Sequence, residues 1–518
     1  MSKTDDFKQH ITDGYTFKGD SLIIGAAMLD GKPIEGAQVK IPLKTLNRHG
    51  LIAGATGTGK TKTLQVLAEQ MAMKGIPTLL MDIKGDLSGL AQPGTLNDHI
   101  TWRQGAIGVE YTPEKMLVEL LTISDKKGVR LRATVSEFGP TLLGKMLELN
   151  DTQEGVLAVL FQYCDDNNLP LLDLKDLRKS LQFIMEEGKA EITKEYGRVS
   201  SASIGTIMRK IVALEQQGAK KFFGERSFDV QDLLFVNKKG MGQVSIIQLA
   251  DIQSKPKLFS TFMLSLLAEI YETFPESGDS DKPKLCIFID EAHLMFKEAS
   301  DALLDQIEII IKLIRSKGVG IYFCTQLPTD IPDEVLSQLG LKVQHALRAF
   351  TAKDRKAIKK TAENYPISDF YQTDQIITEL GIGEALITGL NEKGIPTPLA
   401  ATLLQAPKTR MDVLTKKEID EIVDYSTLTE KYNKNIDRES AYEILNDKIE
   451  RIQEEKFQNK RRKQQNKEDA ALDKRRSRTT RGRVGRPRKS ETSKLMDKMG
   501  NTLMKEITRG IFKIFGLR

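Results

Sequence analysis

His49-Gly50-Leu51-Ile52-Ala53-Gly54-Ala55-Thr56-Gly57-Thr58-Gly59-Lys60-Thr61 is the stretch that decides the fold. An apolar run enters Gly-x-x-x-x-Gly-Lys-Thr, and a helical pattern leaves it, reaching about Lys74 before Gly75 and Pro77 close it. A triphosphate needs many donors at short range, and bulky side chains would obstruct them. The glycines let the backbone N–H groups of residues 54–61 curl around a β-phosphate, and the helix N-terminus adds the positive end of its dipole. Within the cradle Gly54, Ala55, Thr56, Gly57, Thr58, Gly59, Lys60 and Thr61, Lys60 is placed for the β- and γ-phosphates and Thr61 for Mg²⁺. The required context, a strand before and a helix after, is present.

Three further segments belong with the cradle. Leu285–Glu291 is a buried-type strand ending in two adjacent carboxylates, where open α/β sheets bind ligands. Asp290 suits Mg²⁺, and Glu291 suits the orientation and polarisation of an attacking water. Cys324-Thr325-Gln326 ends the next strand. Gln326, with Thr325 second, is the candidate to sense the γ-phosphate and the water together. Asp82-Ile83-Lys84-Gly85-Asp86 follows another strand on the same sheet edge; its position argues for proximity to the site, and a structural turn explains it equally well.

Apolar strands alternate with helices around these motifs, which predicts an α/β P-loop NTPase with a mostly parallel sheet. Residues 1–47 read as a small β-rich lead-in, with strands in 21–28 and 37–43 separated by the turn Asp30-Gly31-Lys32-Pro33. Residues 48–111 and 226–407 form the two parts of the ATPase core. Residues 112–225 read as a helical insertion from apolar spacings of three and four. Residues 408–455 are charged and helical, 456–493 a basic tail expected to be disordered, and 494–518 an amphipathic helix.

Composition narrows the class. Forty per cent hydrophobic content suits a soluble globular chain. No apolar run is long enough to span a membrane, and the start lacks a basic-then-apolar signal. Three cysteines without a Cys-x-x-Cys pair indicate neither a zinc site nor a disulfide framework, and predict a reducing, cytoplasmic home. The net charge of +6 is unevenly placed. Residues 451–490 hold 16 Lys/Arg against five Asp/Glu and residues 491–518 hold six against three, so the first 450 residues carry −8. Lys460–Lys463, Lys474–Arg476 and Arg481–Arg483 are basic clusters. Arg483-Val484-Gly485-Arg486-Pro487-Arg488-Lys489 resembles an AT-hook, whose extended arginines enter a narrow minor groove. The tail is therefore the expected DNA contact, with a solvated linker as the alternative. In 494–515, Leu495, Met499, Leu503, Ile507, Ile511 and Phe515 fall at four-residue steps opposite Lys498, Lys505, Arg509 and Lys513. That helix is expected to dock on the ATPase body, or else on a membrane surface.

The motifs at 48–61, 81–90, 288–296 and 324–326, in this order, resemble the HerA/FtsK superfamily of ring-forming DNA-pumping ATPases. Segments 149–162, 171–184, 343–358 and 389–398 are similar to the YjgR-type bacterial proteins related to HerA. The resemblance covers roughly residues 20–405. It implies a RecA-like sheet, ATP with Mg²⁺, DNA as partner, and homo-oligomers, hexamers above all, in which a neighbour's arginine completes each site. Arg315 and Arg348 are the two positions it offers for that arginine. The expected function is Mg²⁺-dependent ATP hydrolysis driving a DNA translocase or helicase; the alternative is a nucleotide-controlled assembly scaffold with slow turnover.

Overall fold

The computed structural model describes residues 2–479 except 254, 279, 297–300, 435 and 437. It divides into two units, Met1–Asp447 and Lys448–Arg518. One sheet organises the first unit. Its strands are β1 (Ser21–Leu29), β2 (Lys32–Pro42), β3 (Gly50–Ala53), β4 (Thr78–Asp82), β5 (Val118–Thr122), β6 (Val129–Arg130), β7 (Val244–Gln248), β8 (Leu285–Ile289), β9 (Val319–Thr325), β10 (Leu341–His345), β11 (Glu384–Thr388) and β12 (Ala400–Leu404). Their order is β2-β1-β12-β11-β10-β3-β9-β8-β4-β7-β5-β6. From β10 to β6 every neighbouring pair is parallel. From β10 to β2 every pair is antiparallel.

Chemistry explains the arrangement. Every residue of β4, β8 and β9 is buried, because helices cover both faces, and such strands are continuous apolar runs without alternation. Phe288 of β8 stacks on Tyr322 of β9 with ring centroids 4.8 Å apart. The parallel strands all point one way, so the loops after β3, β4, β8, β9 and β10 gather along a single edge.

The structure redraws the sequence reading in three places. Residues 1–47 are not β-rich throughout: they open with the helix Lys3–Gly14, which starts on a reciprocal Ser2/Asp5 cap and buries Phe7 and Ile11. The hairpin that follows turns at Asp30 (φ 49°) and Gly31 (φ 74°), the two left-handed positions of a type I′ turn. β1 then pairs with β12, so the lead-in extends the core sheet. Second, residues 112–225 are not all helical. The apolar run at Val118–Thr122 is β5, pairing with β7 in place of forming a helix, and β6 follows it. Helices Val135–Met146, Asp151–Asp166, Leu174–Met185, Lys189–Glu195 and Ser201–Gln216 make up the insertion proper, packed on one another and on the helix Pro256–Thr273. Third, the helix Ala441–Thr479 runs unbroken through residues 456–479, where disorder was expected. The AT-hook-like stretch 483–489 and the predicted amphipathic helix 494–515 lie outside the described residues.

Candidate active site

The phosphate cradle joins β3 to the helix Lys60–Met73. Two neighbouring strand ends fix it. The Gly54 N–H donates to the Thr325 and Gln326 carbonyls at 3.3 and 3.2 Å, and the Ala55 N–H donates to the Ala346 carbonyl at 2.9 Å. Beyond the turn, the Thr58 carbonyl accepts from the Gly383 N–H at 3.1 Å. Glycine is required at Gly54: a Cβ there would lie 2.5 Å from the Cβ of His345. Gly57 (φ 80°) and Gly59 (φ 108°) take left-handed conformations that expose the loop's N–H groups. His345 lies under the loop, its Nε2 2.9 Å from the Thr63 hydroxyl. Burial pushes this imidazole down to about 4, so it stays neutral and adds no charge beneath the cradle.

Lys60 is buried, and its ammonium donates to the Gly54 and Ala55 carbonyls at 2.7 and 3.0 Å. Burial lowers its pKa, while nearby carboxylates work the other way. Thr61, the next helical residue, is partly buried. Asp290 and Glu291 follow β8, with only 1% and 7% of their surfaces exposed. Burial raises the Asp290 carboxyl above its ordinary range against the pull of Lys84. Glu291 sits at φ 46°, a left-handed conformation costing a side-chain-bearing residue about 1–2 kcal/mol. Glu291 Oε1 is 2.6 Å from Lys84 Nζ, and its Oε2 is 3.2 Å from His293 Nδ1.

The residues fit a magnesium ion that arrives with its nucleotide. Asp290 Oδ2 is buried without a hydrogen-bond partner, a group that a hydrated cation would satisfy. Asp290 and Thr61 would hold the ion, which when bound neutralises phosphate charge.

Gln326, directly after β9 on the same edge, is exposed. Thr325 is not free to sense a ligand: its hydroxyl donates to Asp330 Oδ2 at 2.8 Å. Asp82 takes a structural role. Its Oδ1 accepts from the N–H groups of Gly85 (2.6 Å) and Asp86 (3.2 Å), and its Oδ2 from Leu87 N–H (3.1 Å). Burial still pushes its carboxyl up to about 6. The loop so shaped presents Lys84, which sequence reasoning passed over.

The two candidate arginines part company. Arg348 stays on the cradle's edge, just beyond β10, and donates to the Thr378 carbonyl at 2.9 Å. Arg315 precedes β9, whose seven residues put it about 20 Å away at the opposite edge of the sheet. There it lines a cavity of about 440 Å³ with Arg48, Lys312 and Lys342, and among the described residues no carboxylate lines that cavity. His49 ties the group together. Its Nε2 lies 2.9 Å from the Ile311 carbonyl, and its Nδ1 accepts from Ile321 N–H at 3.0 Å. Burial pushes His49 down to about 4, so it too is neutral. Arg48 was also missed, although it lies only two residues before β3.

Fold and site together define the P-loop ATPase class, with cradle, paired carboxylates and polar strand end on one edge of a parallel sheet. The chain belongs to the helicase HerA-like C-terminal family, whose model matches residues 28–517. It is similar to the DNA double-strand break repair helicase HerA of Sulfolobus acidocaldarius, 23% identical over 366 residues, covering 70% of this chain and 66% of that one. It is also similar to the HerA of Pyrococcus furiosus, 23% identical over 388 residues, covering 72% and 68%. The chain thus spans about two thirds of the length of these relatives. Among solved structures, the plasmid coupling protein TrwB with a non-hydrolysable ATP analogue shares the fold at TM-score 0.52 and 14% identity, covering 79% of this chain and 95% of that one. No helix among the described residues is long and apolar enough to cross a membrane.

Proposed function

We propose that this chain hydrolyses ATP with Mg²⁺ inside a homo-oligomeric ring, a hexamer on the family pattern, and uses the cycle to move along or remodel DNA. Lys60 and the cradle N–H groups bind the phosphates. Glu291 polarises the attacking water, and Gln326 reports the γ-phosphate to the loop that follows β9. One observation carries the ring. Arg315 and Arg48 lie in a basic cavity, lined by no carboxylate among the described residues, about 20 Å from their own cradle, at the end of the sheet where their own nucleotide cannot lie. Such a cavity serves a phosphate brought by another subunit, and the added positive charge stabilises the transition state there. The geometry favours Arg315 over Arg348, whose guanidinium is held by Thr378. DNA as the substrate is supported by the names of the HerA relatives and by the basic tail. The finer likeness to YjgR-type proteins rests on sequence motifs alone.

The test is the ATPase rate with and without duplex DNA, alongside mass in solution with ATP. Stimulation by DNA and an ATP-dependent ring are expected. Slow turnover indifferent to DNA, with ATP-dependent assembly, would make the chain a nucleotide-controlled scaffold.

A further inference from the structure

Lys84 stands on the loop after β4, and β4 pairs with β8 in the sheet. Loop and paired carboxylates are therefore neighbours although some 200 residues separate them in the chain. Three backbone N–H groups bonded to Asp82 and the left-handed turn at Gly85 (φ 80°) fix the loop's shape. Lys84 Nζ lies 2.6 Å from Glu291 Oε1 and 3.7 Å from Asp290 Oδ2. Its side chain is 34% exposed, against 9% for Glu291, so the ammonium reaches the carboxylate from the open side of the site. Lys60 is engaged differently, with carbonyls of its own loop. Two ammonium groups and two carboxylates thus share one small volume.

This arrangement conflicts with the part Glu291 plays in hydrolysis. A carboxylate neutralised by an ammonium at 2.6 Å is a poor proton acceptor. Two uncovered carboxylates would, in turn, repel an incoming triphosphate. We propose that Lys84 is a second phosphate-directed lysine, which exchanges Glu291 for the γ-phosphate when a triphosphate binds and so releases Glu291 to the attacking water. The proposal rests on the ATPase reading above. In the reaction the water oxygen bonds to Pγ as the bond from Pγ to the bridging oxygen breaks. The electron pair of that bond leaves on ADP, and the water proton passes toward Glu291. Charge on the equatorial γ-oxygens is what Lys84 meets, a contact that ADP cannot offer.

Lys84→Ala and Lys84→Arg test this, each first shown to unfold at the wild-type temperature. Affinities are measured with Mg²⁺ for ADP and for a non-hydrolysable ATP analogue, and kcat and KM for ATP. Lys84→Ala is expected to bind ADP within about twofold of wild type, bind the analogue about tenfold more weakly, and lose about 10²-fold in kcat; Lys84→Arg recovers part of both losses. Equal weakening of ADP and analogue, unchanged binding and turnover, or a raised kcat would overturn the proposal. Reductive methylation read by mass spectrometry gives a second arm that needs no turnover. Without nucleotide, Glu291→Gln should raise Lys84 reactivity; in wild type the analogue, and not ADP, should alter it. An unchanged rate in Glu291→Gln means that the ion pair does not form, and the proposal falls. Wild type that binds neither nucleotide would sink the ATPase reading, a result distinct from either failure of Lys84.

Discussion

Replacing Glu69 by glutamine isolates one large electrostatic effect. Glu69 lies on the helix Lys60–Met73 and is 2% exposed. Its carboxylate accepts from Lys408 N–H at 2.7 Å, Thr409 N–H at 3.2 Å and the Thr409 hydroxyl at 3.0 Å. Gln65, one turn earlier, donates to the same Thr409 hydroxyl and to the Arg410 carbonyl. The cradle helix is thereby strapped to the segment leaving β12. Burial outweighs the three donors and pushes the Glu69 carboxyl up to about 7, from 4.5 when freely solvated. A carboxyl whose pKa is raised by folding favours the folded state in its protonated form. Its contribution is complete below pH 4.5 and is lost as the pH rises through 7. A gap of about 2.5 units corresponds to about 3 kcal/mol. Glutamine does not titrate, so the stability of wild type minus that of Glu69→Gln should fall by about 3 kcal/mol between pH 5 and pH 8. Urea unfolding of both proteins across that range measures it. A constant difference would show that the three donors cancel burial, and one that grows with pH that they outweigh it; either would refute the reasoning.

Lys60→Ala should abolish tight nucleotide binding, whereas Glu291→Gln should keep binding and lose hydrolysis; nucleotide affinity and turnover measure both, and normal turnover in Glu291→Gln would remove it from the water-activating role. Truncation after Glu455 should weaken duplex DNA binding and leave basal ATPase largely intact. If about six tail cations contact phosphates, the full-length log–log salt slope is roughly −5 and flattens on truncation; fluorescence anisotropy at several salt concentrations reads it, and an unchanged slope would move the DNA site into the ring. Arg486→Ala with Arg488→Ala should erase any preference for A·T-rich duplex while sparing general affinity, tested by comparing A·T-rich and G·C-rich probes.

What could be read from the sequence was local chemistry. The cradle 54–61 and the pair Asp290-Glu291 are contiguous in the chain, so their spacing declares their use. Strands β4, β8 and β9 announced themselves as apolar runs ending at the polar residues of the site. β5 did not, because Met116–Leu121 carries apolar residues at spacings that a helix and a doubly buried strand both satisfy; its pairing with β7, more than a hundred residues on, decides the matter. The opening helix was within reach, since Ser2 with Asp5 is a capping pair and Phe7 with Ile11 a one-face spacing. Lys84 and Arg48 were not. Lys84 acquires meaning only when β4 lies beside β8, and Arg48 only when β3 and β9 place it next to Arg315. Asp82 resisted for another reason: its work is to hold N–H groups of its own loop, and nothing in its residue type distinguishes that from ligand binding.

The claim on which the account turns is that Arg315 acts on a neighbour's nucleotide. Arg315→Ala and Glu291→Gln proteins, each purified inactive, are mixed under conditions that let subunits exchange, and the ATPase rate is followed against mixing ratio. The account predicts that activity returns in the mixture, because a ring then contains sites with an intact Glu291 from one subunit and an intact Arg315 from the next. No recovery at any ratio, despite demonstrated subunit exchange, or full activity from a chain that stays monomeric with ATP, would contradict it.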